Sequence, residues 1–312
     1  MDFLYLVLGI AGLLIGTELT IGSALAIAKK HHLSEFFVGL IVLSIGSDLP
    51  EIAVAIDAGM KGLMGQDASG VVVGSSVGSV VAQIGFVLGV AGLLSYLTLP
   101  RRYIVRHGAV LLGSTVFLFL AAVDGLVSRA EALTLITFYI IYLVVLLSRE
   151  KVPEEVQVTV SDEPDRPWLK LIVGLVLVIA SSELTVSSVV SIAEELHINQ
   201  AVISVLIIGL GTSLPELSIS LAAILRKRVH LSVGNIIGSN IFDTLIPISA
   251  AALLSPVLFD RELILFDLPF AFILTAVVLL LFVRKKGLQR GEAALVLALY
   301  LFYVGVKLTQ LQ

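Results

Sequence analysis

Long apolar stretches alternate with short polar segments along the whole of this 312-residue chain. Because about 20 apolar residues suffice to cross a bilayer as a helix, the pattern predicts ten membrane-spanning helices. We place them at residues 3–28, 34–60, 69–96, 102–123, 130–148, 168–194, 199–225, 231–256, 262–283 and 291–310. The first stretch lacks the basic segment and the short apolar core of a signal peptide, so we expect it to be retained as a helix.

Composition agrees with this pattern and narrows the class of protein. The chain is 58% hydrophobic and 14% charged, whereas soluble domains are about 45–50% apolar and about 25% charged. A net charge of −4, with the basic residues scattered at helix ends, argues against a nucleic-acid partner. The absence of cysteine excludes disulfides and thiolate metal sites. The sequence therefore predicts an all-α polytopic membrane protein, and no part of it requires a cofactor.

The distribution of basic residues predicts how the chain crosses the membrane. Only Lys61, Arg129, Arg261 and Lys307 fall in one set of alternate loops, and the other 16 of the 20 Lys and Arg residues fall in or beside the other set. Cytoplasmic loops carry the excess of Lys and Arg. We therefore expect a multi-pass protein of the cell membrane with both termini outside. The polar segment 151–167 is expected to be a cytoplasmic linker.

Two copies of one pattern lie on either side of this linker. The motif GSDLPE at 46–51 corresponds to GTSLPE at 211–216, and residues 16–34 match residues 181–199 at the same offset of 165. We predict two repeats, at 1–150 and 168–312, within one membrane domain. Five spans per repeat would insert the second copy upside down, which places a substrate site near the midplane where broken helices meet. Helices 2, 3, 7 and 8 are expected to be broken.

The repeated motifs carry oxygen ligands into the membrane. Pro50 and Pro215 should break their helices near Gly46 and Gly211, because proline lacks an N–H and its ring clashes with the carbonyl four residues back. Each break offers freed carbonyls, hydroxyl groups and a glutamate, and an ionisable residue at this depth indicates a functional site. A second glycine-rich cluster in each half adds a serine and, one turn later, an amide or a carboxylate: Ser79 with Gln83, and Ser239 with Asp243. Such hard oxygen ligands suit Ca²⁺ and also Na⁺.

At these residues the chain resembles the calcium/cation antiporter superfamily, and most closely the prokaryotic sodium/calcium exchangers. The resemblance covers the whole chain and implies exchange of Ca²⁺ for Na⁺ by alternating access, with helices 1 and 6 sliding as a pair. Ten helices could enclose the whole ion path in one subunit. The implied central site consists of Glu51, Glu216, Asp243 and the Gln83 amide, surrounded by Ser47, Thr212, Ser213, Ser79 and Ser239, with carbonyls at Ser44 and Gly209.

The chain departs from the family pattern most clearly at Asp48, where a small residue is usual and where the second half has Ser213. Asp48 would raise the number of acids near the site to four. Four carboxylates around one divalent ion leave a surplus of two negative charges, which is costly in a cavity of low dielectric constant, so we expect at least one to be protonated when Ca²⁺ is bound. Asp48 could instead hold an additional monovalent ion or a coupled proton, or point away and cap the following half-helix. Gln83 also replaces a shorter asparagine, and Ser75 and Ser76 replace the usual Asn-Ala.

Several other functions stay open at this level. Proton/calcium exchange, a requirement for K⁺, and transport of Mn²⁺ or Mg²⁺ are variants of the same antiport. A channel could use the same inverted repeat. An intramembrane enzyme is disfavoured, because all five histidines fall near predicted helix ends. Glu18 and Glu183 form a second intramembrane pair, either bonded to neighbouring helices or snorkelling to the interface, or else lying along the ion path on the moving helices.

Overall fold

The computed structural model describes residues 2–149, 166–196, 211, 213–285 and 287–310, and nearly all of them are helical. The elements are α1 (Asp2–Lys30), α2 (Glu35–Ser47), α3 (Leu49–Leu63), α4 (Ser69–Leu94), α5 (Arg101–Ala122), β1 (Leu126–Val127), α6 (Arg129–Arg149), α7 (Pro167–Glu195), α8 (Leu214–Leu225), α9 (Val229–Leu254), β2 (Val257–Leu258), α10 (Leu263–Lys285) and α11 (Arg290–Gln310). Helices are the expected result, since a backbone in lipid must satisfy its own hydrogen bonds.

The helical membrane fold is confirmed. Within the described residues, eight helices are long and apolar enough to span a membrane, and α2 with α3 forms a ninth span that is bent by 41°. The short helix α8 coincides with the second half of the predicted seventh span. The first half of that span, and the linker at 151–165, lie outside the described residues. The full arrangement of ten helices in two repeats therefore stays a prediction.

The residue two positions before the proline has the same backbone conformation in both motifs. Asp48 has φ −87° and ψ 7°, and its counterpart Ser213 has φ −92° and ψ 11°. Each residue immediately precedes a helix with proline in its first turn, where a missing N–H breaks no bond within the helix. The interruption in the first motif therefore lies two residues after the expected position near Gly46.

Two of the four helices predicted to be broken are continuous, which corrects that part of the prediction. Helix α4 contains only a π-helical turn at Gln83–Val87, and α9 runs through Pro247 without a break. The glycines in α9 serve close packing instead: the backbone of α2 runs against Gly234 and Gly238 with no room for a side chain. The glycine cluster of α9 is therefore a packing surface for α2.

Three packing features hold the helices and loops in place. Helix α9 is central and contacts α2, α3, α4, α5, α6 and α8. Helices α1 and α7 form an antiparallel pair at the edge, in which Gly9 contacts Thr185 and Gly174 contacts Thr20. The loops are also joined, because β1 pairs with β2 and Leu97 forms a bridge with Leu288. Each pairing joins two loops that the sequence predicts to lie on the same side of the membrane.

Candidate ion-binding site

Four buried carboxylates lie where the break between α2 and α3, the start of α8 and the middle of α9 pack together. Asp48, Glu216 and Asp243 are fully buried, and Glu51 is only 6% exposed. None of the four forms an ion pair with a basic residue in the described part of the chain. Burying a charged group without a partner is very costly. This cluster therefore requires cations, protons or both to neutralise it.

Asp48 points into the cluster. Its Oδ1 atom accepts hydrogen bonds from the Ser47 hydroxyl at 3.2 Å and from the Ser239 hydroxyl at 2.9 Å. The alternative in which Asp48 caps α3 is wrong, because the side chain makes no capping bond to that helix. Asp48 is thus held by hydrogen bonds from one serine in each half of the chain.

Gln83 and Asp243 were expected one turn after their serines, and the structure brings the two side chains together. The Gln83 amide nitrogen donates to Asp243 Oδ2 at 3.0 Å. Sequence reasoning missed Asn240, whose amide nitrogen donates to Gln83 Oε1 at 2.8 Å. Asn240 thereby fixes which end of the Gln83 amide faces Asp243. The available signal was a fully buried amide between Ser239 and Asp243 in the GNIIGSNIFD motif.

The cluster keeps several oxygen atoms free to bind a ligand. Buried side-chain oxygens without a hydrogen-bond donor among the described residues are Asp48 Oδ2, Glu51 Oε2, both oxygens of Glu216, Asp243 Oδ1, Asn240 Oδ1 and the Ser213 hydroxyl. Native proteins rarely leave buried polar atoms unpaired, so each such atom needs an explanation. In the described residues, no three acidic or histidine side chains converge as in a preformed metal centre. An ion held here must therefore draw on hydroxyl, amide or carbonyl oxygens as well as carboxylates.

Comparison with known proteins assigns the family. The sequence model for "sodium/calcium exchanger protein" matches residues 1–148 and 166–309. The chain belongs to this family. It is 28% identical to the sodium/calcium exchanger MaX1 of Methanosarcina acetivorans, over 98% of both chains. The inner membrane protein YrbG of Escherichia coli is 25% identical, over 80% of this chain and 79% of its own.

A solved structure extends the likeness to the fold. The sodium-calcium exchanger NCX_Mj, soaked with 2.5 mM Na⁺ and 0.1 mM Ca²⁺, matches with a TM-score of 0.82 and 28% identity over 97% of both chains. The resemblance inferred from the two proline-containing motifs is thereby confirmed.

The other predicted ligands differ in their surroundings, and two of them lie outside the described residues. Ser79 is fully buried one turn before Gln83. The Ser44 carbonyl accepts a bond from the Asp48 N–H at 3.0 Å, and it competes with Asp48 Oδ1 for the Ser47 hydroxyl, which lies 3.2 Å from each. Thr212 and Gly209 lie outside the described residues.

Proposed function

We propose that this protein exchanges Ca²⁺ for Na⁺ across the membrane by alternating access. The single observation that carries the proposal is the buried cluster of Asp48, Glu51, Glu216 and Asp243, which has unpaired oxygens and no basic partner among the described residues. Membership of the sodium/calcium exchanger protein family supports the choice of ions.

The chemistry of the cluster fits these two ions. Ca²⁺ takes 6–8 oxygen ligands from carboxylates, carbonyls and water, and the cluster offers carboxylate, amide and hydroxyl oxygens. Because a divalent and a monovalent ion would share the same carboxylates, binding of one excludes the other. Competition for one negative site is the simplest basis for coupling their transport in opposite directions.

We further infer two inverted repeats, residues 1–150 and 168–312, joined by a cytoplasmic linker at 151–167, with both termini outside. Three observations support this arrangement. Asp48 and Ser213 share one backbone conformation at equivalent positions. Gly9 contacts Thr185, and Gly174 contacts Thr20; at the offset of 165 residues these two contacts are equivalent. The loop pairs joined by short strands lie on matching sides in the predicted topology. One subunit is proposed to contain the whole ion path.

A second candidate is proton/calcium exchange, and the position of Asp48 favours keeping it. Asp48 adds a fourth buried carboxyl group to Glu51, Glu216 and Asp243, and a bound proton would neutralise part of this surplus of negative charge. Dependence on K⁺, or transport of Mn²⁺ or Mg²⁺ in place of Ca²⁺, would use the same oxygen ligands.

Flux measurements on the purified full-length protein in lipid vesicles test these proposals. Vesicles loaded with Na⁺ and diluted into Na⁺-free buffer should accumulate radioactive Ca²⁺, while vesicles with only a K⁺ or pH gradient should not. The Glu216→Gln variant, which removes one charge from the cluster, serves as the inactive control. Uptake driven by a pH gradient but not by Na⁺ would overturn Na⁺ coupling and support the second candidate.

A further inference from the structure

One charged contact lies outside the ion site and joins two elements that alternating access would move. Glu18, in the middle of α1, forms an ion pair with Arg226, the residue that follows α8. Both side chains are partly accessible, Glu18 at 67% and Arg226 at 32%. The pair therefore connects the α1–α7 unit at the edge of the protein to the end of the helix that carries Glu216.

The residues at the equivalent positions of the other half could form a second ion pair. At the repeat offset of 165 residues, Glu18 corresponds to Glu183 and Arg226 corresponds to Lys61. The second pair is not formed in this structure. Glu183 makes no ion pair with any described residue, and Lys61 instead contacts Asp57 at 2.6 Å, four residues earlier on α3. The second half has Ala222 where the first has Asp57.

The spacing along the helices keeps the two pairs from being equally close at once. Since Gly9 contacts Thr185 and Gly16 contacts Gly174, Glu183 lies level with about position 9 of α1, nine residues or about 14 Å from Glu18. Lys61 and Arg226 each lie ten residues beyond the central glutamate of their own half, in opposite directions. With the two glutamates level, they are therefore at most about 30 Å apart along the helix axes. When one carboxylate is level with its basic partner, the other falls short by up to about 16 Å.

We propose that Glu18–Arg226 and Glu183–Lys61 are alternative ion pairs, each of which stabilises one of the two states of the transport cycle. Sliding of the α1–α7 unit breaks the first pair and brings Glu183 towards Lys61, which leaves Asp57. The inference rests on the proposed exchange by two inverted repeats. It gives the intramembrane acids Glu18 and Glu183 a role that requires no contact with the transported ion.

The interface between α1 and α7 fits such a movement as one body. Gly9, Gly16 and Gly174 bring the two backbones into direct contact, so the helices cannot separate without losing close packing. In contrast, the Glu18–Arg226 ion pair joins two partly accessible side chains, so it can break without separating closely packed backbones. Such a contact suits an element that must release in every cycle.

Spin labels can report the movement without touching either pair, since the chain contains no cysteine. Met64→Cys, just after α3, and Ser187→Cys, one turn beyond Glu183, are both exposed and should approach each other when the second pair forms. Electron–electron distance measurements on the full chain in lipid give the populations of the near and far states. Glu18→Gln and Arg226→Gln should each raise the near-to-far ratio about two- to five-fold, as expected for loss of a partly exposed ion pair. Glu183→Gln should lower it by a similar factor.

Three controls make the outcome decisive. Glu18→Gln combined with Arg226→Gln should have no more effect than either alone, and the exchanged pair Glu18→Arg with Arg226→Glu should restore the original ratio. Glu195→Gln removes an exposed carboxylate from the end of α7 and should change nothing. If Glu18→Gln behaves like Glu195→Gln, the alternative pairs do not exist. Na⁺-driven Ca²⁺ uptake is measured on the labelled and the unlabelled protein. Intact uptake with an unchanged near-to-far ratio would refute only the alternative ion pairs. Absent uptake in the unlabelled protein would refute the proposed exchange itself.

Discussion

Replacing Asp48 by asparagine tests how the four-acid cluster carries its charge. The substitution keeps the shape of the side chain and can still accept hydrogen bonds from the hydroxyls of Ser47 and Ser239, which lie 3.2 and 2.9 Å from Asp48 Oδ1. It removes only the ability to be ionised. The effect on Ca²⁺ affinity therefore reports the charge of Asp48 when the ion is bound.

Two limits bracket the expected effect. An ionised Asp48 about 5 Å from Ca²⁺ would attract it by up to about 7 kcal/mol at an effective dielectric constant of 20, before the cost of desolvating both charges is subtracted. A neutral Asp48 contributes only its hydrogen bonds, about 1 kcal/mol, which corresponds to less than about a ten-fold change. Four full charges around one Ca²⁺ leave a surplus of two in a site with no basic partner among the described residues. We therefore expect the smaller effect.

Titration calorimetry of Ca²⁺ into the purified full-length protein measures this directly. Asp48→Asn should change the dissociation constant by less than about ten-fold, while Glu216→Gln should weaken binding much more. Asp260→Asn is a matched control, because Asp260 is an exposed aspartate in the loop between β2 and α10. A loss of more than about a thousand-fold in Asp48→Asn would mean that the residue binds Ca²⁺ as an anion and would refute the charge argument.

Three further predictions follow from the same site. Asn240→Leu should leave Gln83 Oε1 without its 2.8 Å donor and weaken Ca²⁺ binding about ten-fold, as for one lost buried hydrogen bond; unchanged calorimetry would remove Asn240 from the site. Ca²⁺ at a hundred times its dissociation constant should stabilise the folded protein by about 2.7 kcal/mol, seen as a higher melting temperature that a chelator reverses, and no such shift is expected in Asp243→Asn. Ser239→Ala should lower Ca²⁺ affinity more than Ser249→Ala does, because Ser249 is equally buried but lies further along α9; equal effects would contradict a specific role for Ser239.

Most of the helices could be predicted because each is a long apolar run. The two repeated motifs could be predicted to form the site because proline and glutamate are rare inside a membrane. The orientation of Asp48 could not be predicted, since it depends on Ser239, which lies 191 residues further along the chain. Asn240 was missed for a similar reason, as its role exists only when α9 meets α4. The expectation that helices 3 and 8 are broken was wrong, because α4 accommodates a π-helical turn and α9 accommodates Pro247 without interrupting either helix.

Asp48 and Ser213 share one backbone conformation, but the two halves of the chain distribute the acids of the site differently. In the first half the acids are Glu51 and Asp48, both at the helix break, whereas in the second they are Glu216 at the break and Asp243 on α9. Each half nevertheless contributes two carboxyl groups, so exchanging the conformations of the halves leaves the set of acids around the ion unchanged. Attraction between the ion and the cluster therefore does not by itself favour either state. A preference between the states must come from contacts outside the cluster, and the ion pair of Glu18 with Arg226 is a contact of that kind.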